Sequence, residues 1–489
     1  MHQTVLTFFA QTDGTAAKSA KFNISNVKDA HVRLSVICIR YLMLCAGKSL
    51  HNEPRNIESW ETVNFEAYAR HINERPFLNY IISHLNHHID SCRQDATVSR
   101  CVSQLASRLI GNTAFFLLES WVDAHLNISL PAHELNGSAE NFRNQILHAA
   151  TRMRFSRVVE VLLRVGAQVE ARLHGKTPLI VSAGRGDDIT VRLLIDWVAD
   201  KEAKDTDGRT ALHHAASNGH HSTVDMLVET LGVNKEAKDS NKWTALHHAA
   251  SNGHDSTVRM LVKTLRADNE AKDTRAKTAL HHAASNGHES TVRMLVETLG
   301  TNKEAEDTDE NTALHHAALN GHHSTVCMLV ETLGANKEAK DSEEWTALHH
   351  AASNGHDSMV QLLVNILGVN KEATDSNGKT ALHLAALHGY DSTAQLLVKT
   401  LGANKEAKDN SGRTALHLAA AKGHESMVRL LVTFGANRQV QDNRKDTALH
   451  LAAQFGHERI VRLLVNSFHV NTKAVNEERE NALNVARKL

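Results

Sequence analysis

Histidine is the residue whose number and spacing in this sequence could most readily do chemistry. The 489-residue chain contains 35 histidines, many of them in adjacent pairs at a fixed interval. The pairs are His213-His214, His247-His248, His281-His282, His315-His316 and His349-His350. Imidazole binds Zn²⁺ and related metals, so the pairs suggest a metal ladder. Adjacent residues on a helix do not face each other, however, and we therefore expect the pairs to have a structural role instead.

A second segment imitates a phosphate-binding loop. Ala46-Gly47-Lys48-Ser49 follows an apolar stretch and resembles the end of the loop that cradles nucleotide phosphates. That loop needs another glycine five residues before the Gly-Lys pair, where this chain has Leu42. We therefore expect no nucleotide hydrolysis at this segment. Since no Ser-His-Asp or Cys-His arrangement can be assigned from spacing, we predict that the chain has no enzyme activity, no cofactor and no metal.

The charge balance bears on the class of partner. Lys and Arg total 54 and Asp and Glu total 55, so no excess charge favours phosphate backbones or anionic lipid. We accordingly expect neither a nucleic acid nor a membrane as the partner. Apolar residues make up 42% of the chain and charged residues 22%, a balance typical of a folded soluble protein.

Cysteine usage and the amino terminus indicate the compartment. The five cysteines are scattered, odd in number and without a CxxC pair, as expected of reduced thiols. Residues 1–4 lack the features of a signal peptide. The most apolar stretch, 34–45, is too short to cross a bilayer. We therefore predict a cytoplasmic protein, with the nucleus as the alternative.

The histidine pairs belong to a longer repeating unit. Thr-Ala-Leu-His recurs with Thr at positions 210, 244, 278, 312, 346, 380, 414 and 447, at six spacings of 34 residues and a last one of 33. Degenerate copies begin at Gln145, Thr177 and Asn481. Such a series predicts about ten stacked units plus an incomplete last one over residues 141–489, in which each unit is stable only beside its neighbours.

The copy that begins at Thr210 illustrates the first helix of a unit. The Thr side chain can cap the helix, and Leu212, Ala215 and Ala216 fall on one face at helical spacing. The alanines allow neighbouring helices to approach closely. Gly219 then ends the helix with a conformation that other residues rarely adopt.

A second helix and a hairpin complete the unit. An apolar stripe at helical spacing comprises Val224, Leu227, Val228 and Leu231. The polar segment 234–239 that follows suits an extended hairpin between one unit and the next. We place the residue that makes a unit 34 rather than 33 residues long at the end of the second helix, which it should lengthen slightly.

The unit resembles the ankyrin repeat. It follows the ankyrin consensus in order: an Asp, a variable turn, Thr-Ala-Leu-His-x-Ala-Ala, Asn-Gly-His and a second apolar helix. The Trp, Leu-Gly and Tyr pattern of tetratricopeptide repeats is missing. The resemblance implies an all-α ankyrin-repeat solenoid of helix-turn-helix units with hairpin loops. It also implies that the first His of each pair forms hydrogen bonds within or between repeats. Protonation of the stacked imidazoles below about pH 6 should weaken the array.

Residues 1–140 lack this period, and we predict that they form a small helical amino-terminal domain. Segments 31–42, 76–80 and 87–88 resemble the helical region that follows the NACHT-type nucleotide-binding domain of fungal NLR-like proteins. That family commonly has Trp where this chain has Leu85, and the nucleotide-binding domain itself is absent. The resemblance implies a sensor-arm fragment of such a receptor as the alternative to a binding scaffold.

Positions at which the nearly identical copies differ indicate where a protein partner would bind. They cluster in the turn, above all at the residue before each Thr. The predicted partner-binding residues are Arg209, Trp243, Lys277, Asn311, Trp345, Lys379 and Arg413. The resemblance places these hairpin tips along one edge of a concave binding face. Trp243 and Trp345 could be anchors for an extended partner, since Trp is over-represented at interfaces, or they could serve packing within their own turns.

Overall fold

Helices form nearly all of the regular secondary structure in the described part of the chain. The computed structural model describes residues 139–154, 156–164 and 166–487, in which the only strand-like feature is an isolated bridge between Leu173 and Lys176. The predicted amino-terminal domain and its resemblance to NLR-like proteins lie outside these residues. Residue contacts divide the chain into the units Met1–Thr206 and Asp207–Leu489, which we describe separately.

The described part of the first unit contains two helix pairs, Ala139–Arg152 with Ser156–Arg164 and Pro178–Gly184 with Asp188–Asp196. In the second pair, the side chain of Thr177 accepts a hydrogen bond from the backbone N–H of Ile180 and so caps the first helix. Such caps satisfy the unpaired N–H groups at a helix start. The second pair begins directly after Thr177, the start of a degenerate copy, whereas the helix Ala139–Arg152 already begins before Gln145.

The second unit repeats one helix pair, and we name each repeat by its initial residue. In the Thr210 repeat, Leu212, Ala215 and Ala216 are buried as expected. The first helices are Ala211–Ser217, Ala245–Ser251, Ala279–Ser285, Ala313–Leu319, Ala347–Ser353, Ala381–His388, Ala415–Lys422, Ala448–Gln454 and Ala482–Ala486. The second helices begin as His221–Asp225, Asp255–Arg259, Glu289–Arg293, His323–Cys327, Asp357–Gln361, Asp391–Gln395 and Glu458–Arg462, with a continuous helix at Glu425–Thr433.

The length of a repeat decides the form of its second helix. Every 34-residue repeat continues its second helix as a π-helical turn, in which hydrogen bonds span five residues. The π-helical turns are Met226–Thr230, Met260–Thr264, Met294–Thr298, Met328–Thr332, Leu362–Ile366, Leu396–Thr400 and Leu463–Ser467. The second helices of the 33-residue Thr177 and Thr414 repeats are regular. The structure therefore confirms that the extra residue lies at the end of this helix.

The π-helical turn corrects part of the predicted apolar stripe. Val224 and Leu227 are buried, but Val228 is only half-buried, and Met226 takes a place in the core instead. In the regular helix of the Thr414 repeat the pattern is reversed, because Val432 is buried and Leu430 is half-buried. A helical turn with more residues changes which side chains face the core. A prediction based on regular helical spacing therefore assigns the wrong side chains to the core at this turn.

Polar side chains connect the hairpins of successive repeats. Oδ1 of Asn234 accepts the backbone N–H of Glu236, and Oε1 of Glu236 accepts the backbone N–H of Asp268 in the next repeat at 3.0 Å. Nζ of Lys235 donates to the carbonyl of Leu265, at the end of the next second helix. A cation at a helix carboxyl terminus is favourable. The polar segment is thus a connector between repeats, as the sequence predicts.

Candidate partner-binding surface

The first His of each Thr-Ala-Leu-His motif bridges two repeats. Nδ1 of His213 accepts the backbone N–H of Thr210 at 3.1 Å, and Nε2 lies 3.0 Å from the carbonyl oxygen of Trp243 in the next repeat. Because a backbone N–H points at Nδ1, the proton must be on Nε2, and the ring must be neutral. The same arrangement recurs at His247, His281, His349, His383, His417 and His450.

Burial lowers the pKa of several of these rings. It lowers the pKa of His281 and of His315 to about 4, with a further contribution from the neighbouring second histidines His316 and His350. Burial also lowers the pKa of His213, against the opposing effect of its hydrogen bond with the Trp243 carbonyl. The hydrogen bonds implied by the ankyrin resemblance are therefore present, and they need an unprotonated imidazole.

A third histidine, in the Asn-Gly-His segment, also joins neighbouring repeats. Nε2 of His254 lies 2.9 Å from the carbonyl oxygen of Ser217 at the end of the preceding first helix. Gly219 has a φ of +71°, and a Cβ added there would lie 2.7 Å from the His254 ring. The glycine is thus required both for its backbone conformation and for the close approach of this ring.

The second His of a pair binds a carboxylate of its own hairpin. Nε2 of His282 lies 3.0 Å from Oδ2 of Asp273, while Oδ1 of Asp273 accepts two backbone N–H groups. Burial opposes ionisation of this carboxyl, but the N–H groups of Arg275 and Lys277 and the His282 ring outweigh it and lower the pKa. Equivalent pairs are His248–Asp239, His316–Asp307 and His350–Asp341. Among the described residues, no group of three or more His, Cys, Asp or Glu could hold a metal ion.

The predicted partner-binding residues form a column, one per repeat, beside these carboxylates. Nε of Arg209 lies 3.7 Å from Oδ2 of Asp239, and Nε of Arg413 lies 3.5 Å from Oδ2 of Asp442, each in the following repeat. Nζ of Lys277 is 3.9 Å from Oδ2 of Asp307. All seven positions, including Asn311 and Lys379, are half-buried. These side chains therefore contribute to contacts between repeats as well as to the surface.

The two tryptophans in this column differ in their surroundings. The Trp243 ring lies 4.1 Å from the His282 ring of the next repeat, centroid to centroid, and its Nε1–H donates to Oδ2 of Asp273 at 3.1 Å. Trp345 contacts His349 and His350 of its own repeat. Its Nε1 is buried, and no described residue accepts a hydrogen bond from it. Both indoles pack on histidines, and Trp345 retains an unused donor.

The turns that precede this column are exposed and carry charge in bands. From the Thr244 repeat to the Thr447 repeat, basic residues come first, acidic residues follow in the middle, and basic residues return. The exposed charged residues of these turns are Lys242 and Arg275, then Asp309, Glu310, Glu343 and Glu344, then Arg444 and Lys445. Outside this range, the first and last turns of the second unit carry the exposed residues Asp207, Glu477, Glu478 and Arg479. Lys242, Glu310, Glu344 and Lys445 also have φ between 59° and 61°. Charged side chains thus occupy a left-handed backbone position that favours glycine.

A second surface column was not predicted from the sequence. It lies at the carboxyl ends of the first helices, and all of its residues are exposed. This helix-end column comprises Asn218, Asn252, Asn286, Asn320, Asn354, His388, Lys422 and Phe455. Five of these positions are identical asparagines, so variation between repeats does not identify them. Their recurrence just before Gly-His was the available signal.

Comparison with known proteins identifies the repeat. A family model described as ankyrin repeats (3 copies) matches residues 183–273, 262–341, 333–409 and 400–474, more than half of the chain. The chain belongs to the ankyrin-repeat family. The match confirms the resemblance stated from the Thr-Ala-Leu-His motif. It does not reach the amino-terminal segment that resembles NLR-like proteins.

Several known proteins are similar to part of this chain, which spans only a small part of the length of the sequence relatives it matches. Human ARF GTPase-activating protein GIT1 is 33% identical over 103 residues, 20% of this chain and 13% of that protein. Neurogenic locus notch homolog protein 1 of Danio rerio is 30% identical over 176 residues, 35% of this chain and 6% of that protein. The solved ankyrin repeat domain of Bcl-3 is 32% identical, with a TM-score of 0.39, over 43% of this chain and 94% of that domain.

The ankyrin-repeat frame explains which surfaces are left for a partner. The Leu, Ala and His side chains of the repeated motif are used in contacts within and between repeats, whereas the turns and the helix-end column are exposed. No helix in the described residues is both long and apolar enough to cross a membrane. The arrangement offers repeated polar positions on a regular frame and can bind an extended ligand at many points.

Proposed function

We propose that the array is a scaffold that binds a protein partner through its hairpin tips and the column before each Thr. Ankyrin repeats are protein-protein interaction modules. The observation that supports the proposal is that the differences between repeats fall on exposed turns, while the buried frame is nearly constant. Variation at exposed positions changes what can bind without loss of packing.

The banded charge along the tips supports a protein partner over a nucleic acid. A phosphate backbone would be repelled by Asp309, Glu310, Glu343 and Glu344 in the middle of the surface. A polypeptide can alternate its own charges to match. Charge complementarity of this kind contributes mainly to specificity and to the rate of association.

Charge reversal at the tips tests the proposal. A variant with Asp309→Lys and Glu343→Lys should lose its partners in affinity capture from the source cells, followed by mass spectrometry. A matched control reverses exposed charges on second helices, Glu229→Lys and Glu297→Lys, and should recover the same partners as the wild type. Equal recovery by both variants would show that the tips are not the binding surface.

The tryptophans need a separate experiment, because both also pack on histidines. Trp243→Ala combined with Trp345→Ala should reduce partner recovery if the indoles are anchors. Unchanged recovery would assign them to packing only. The alternative, a sensor-arm fragment of an NLR-like receptor, depends on coding sequence upstream of residue 1 for a nucleotide-binding domain, and sequencing the locus tests it.

A further inference from the structure

We infer that the helix-end column binds one extended polypeptide segment, whose backbone N–H groups donate to a ladder of asparagine side chains. The inference rests on the proposed function and specifies the chemistry of the partner. The ladder consists of Asn252, Asn286, Asn320 and Asn354, and the column continues to Lys422 and Phe455.

The side-chain NH₂ group of each ladder asparagine donates hydrogen bonds to oxygen atoms of the protein. Nδ2 of Asn252 donates to the carbonyl and hydroxyl oxygens of Ser217 at 2.9 and 3.0 Å, and Asn286 bonds Ser251 in the same way. Nδ2 of Asn320 donates to the carbonyl of His316 at 2.9 Å. Nδ2 of all four asparagines is thus used within the protein, toward the preceding repeat in Asn252 and Asn286 and toward the same first helix in Asn354.

The oxygens of these carboxamides are available to a ligand. All four asparagines are exposed, and in the described residues every hydrogen bond of their side chains uses Nδ2 rather than Oδ1. A carboxamide oxygen accepts hydrogen bonds as a peptide carbonyl does. The column therefore presents a row of acceptors, one per repeat, and needs a ligand with a row of donors.

The spacing of the ladder selects the conformation of that ligand. Packed helices lie about 8–10 Å apart, which sets the distance from one repeat to the next. A polyproline II segment advances about 9.3 Å in three residues, returns to the same face and has no internal hydrogen bonds. A β-strand returns to the same face after two residues, about 6.6 Å, and does not match. Every third N–H of a polyproline II segment would therefore meet one asparagine.

The two residues at the carboxyl-terminal end of the column indicate which side chains the ligand should carry there. Lys422 is exposed and positively charged, so it favours an acidic residue. Phe455 is 56% exposed, one of few large apolar side chains at the surface of the described residues, and it favours an apolar residue. Because the two positions are one repeat apart, the acidic and apolar residues of the ligand should be three residues apart.

Designed peptides test the inference with the full chain. The probe is a fluorescein-labelled peptide with five Pro-Pro-Ala triplets followed by Pro-Pro-Asp-Pro-Pro-Leu, and a second probe has the reverse order, because a chain can lie on the column in either direction. Each Ala supplies the N–H group for one position. The matched control replaces every Ala by Pro, which keeps the polyproline II conformation and removes those donors.

We expect one probe to bind saturably in fluorescence anisotropy. The all-proline control should bind at least tenfold more weakly, since each hydrogen bond contributes about two- to tenfold in Kd. Lys422→Glu and Phe455→Ser, both at exposed positions, should each weaken binding several-fold, while Glu297→Lys should not. Equal binding of the control peptide, or no binding of either probe, overturns the inference. If the peptides fail in this way but the tip variants lose their captured partners, the further inference is wrong and the proposed function is supported.

Discussion

The indole Nε1–H of Trp243 donates a 3.1 Å hydrogen bond to Oδ2 of Asp273 in the following repeat. The same carboxylate oxygen also binds His282 of that repeat. Trp243 of one repeat and His282 of the next thus bind the same oxygen of Asp273, and this contact joins the two repeats. Trp345 stands at the equivalent position, but its Nε1 is buried and lacks an acceptor among the described residues. The residue equivalent to His282 in the repeat after Trp345 is Leu384.

This difference predicts opposite effects of one substitution. Trp243→Phe removes a hydrogen bond to a carboxylate and should destabilise the array by about 1–2 kcal/mol. Trp345→Phe removes a buried donor without a partner and should be neutral or slightly stabilising. Thermal unfolding followed by circular dichroism measures both. A larger loss for Trp345→Phe than for Trp243→Phe would contradict the assigned contacts.

A second matched pair concerns buried threonines of the second helices. The Thr291 hydroxyl donates to Oδ1 of Asp255 in the preceding repeat, whereas the equivalent Thr325 hydroxyl is buried with no acceptor among the described residues. The residue equivalent to Asp255 is Glu289 there, and it pairs with Arg293. Thr291→Val should cost about 1–2 kcal/mol, and Thr325→Val should raise the unfolding midpoint. A fall in the midpoint for Thr325→Val would show that its hydroxyl is satisfied.

Glycine is required in some turns and not in others. Gly378 has a φ of +74°, and a Cβ added there would lie 2.8 Å from the backbone nitrogen of Asn410. Gly378→Ala should therefore destabilise the array by more than about 1 kcal/mol. Ala276 occupies the equivalent position with a φ of 57°, so its Cβ is already accommodated. Ala276→Gly is the control and should change the unfolding midpoint little. Equal losses from the two substitutions would rule out the contact with Asn410 as the cause.

Stability should fall as the pH falls below about 6.5. Burial lowers the pKa of His281 and His315 to about 4, so the unfolded chain binds protons between pH 6.5 and 4 that the folded chain does not. Each such histidine then costs about 1.4 kcal/mol per pH unit. Thermal melts at pH 7.5 and 5.5 should show a lower midpoint at pH 5.5. No loss of stability over this range would contradict the prediction.

A substitution of one histidine provides the control for the pH experiment. His281→Gln removes one titrating ring and keeps a polar side chain. The variant should be less stable than the wild type at pH 7.5, because the contact with the Asn311 carbonyl is weakened. It should lose less stability than the wild type between pH 7.5 and 5.5. An identical loss would assign the pH effect to other groups.

Repetition made most of the fold predictable. The recurrence of Thr-Ala-Leu-His gave the repeat boundaries, and the alternative lengths of 33 and 34 residues located the extra residue. The π-helical turn itself could not be predicted, because an extra residue can also be placed in a loop. Burial of Met226 in place of Val228 follows from that turn and was missed for the same reason.

The candidate surface was only partly predictable. Variation between repeats identified the column that contains Arg209 and Trp243, but their contacts with Asp239 and Asp273 depend on the distance between repeats, which the sequence does not give. The helix-end asparagines do not vary, so a search for variation passes over them. Their exposure, which only the structure shows, distinguishes them from equally constant residues of the core.

The π-helical turns have a consequence for how such an array can change in length. Because the additional residue is absorbed within the second helix, units of either size present the same first helix and hairpin to the units beside them. Repeats of 33 and 34 residues can therefore stand side by side in one array. An array of this kind can change in length by units of either size.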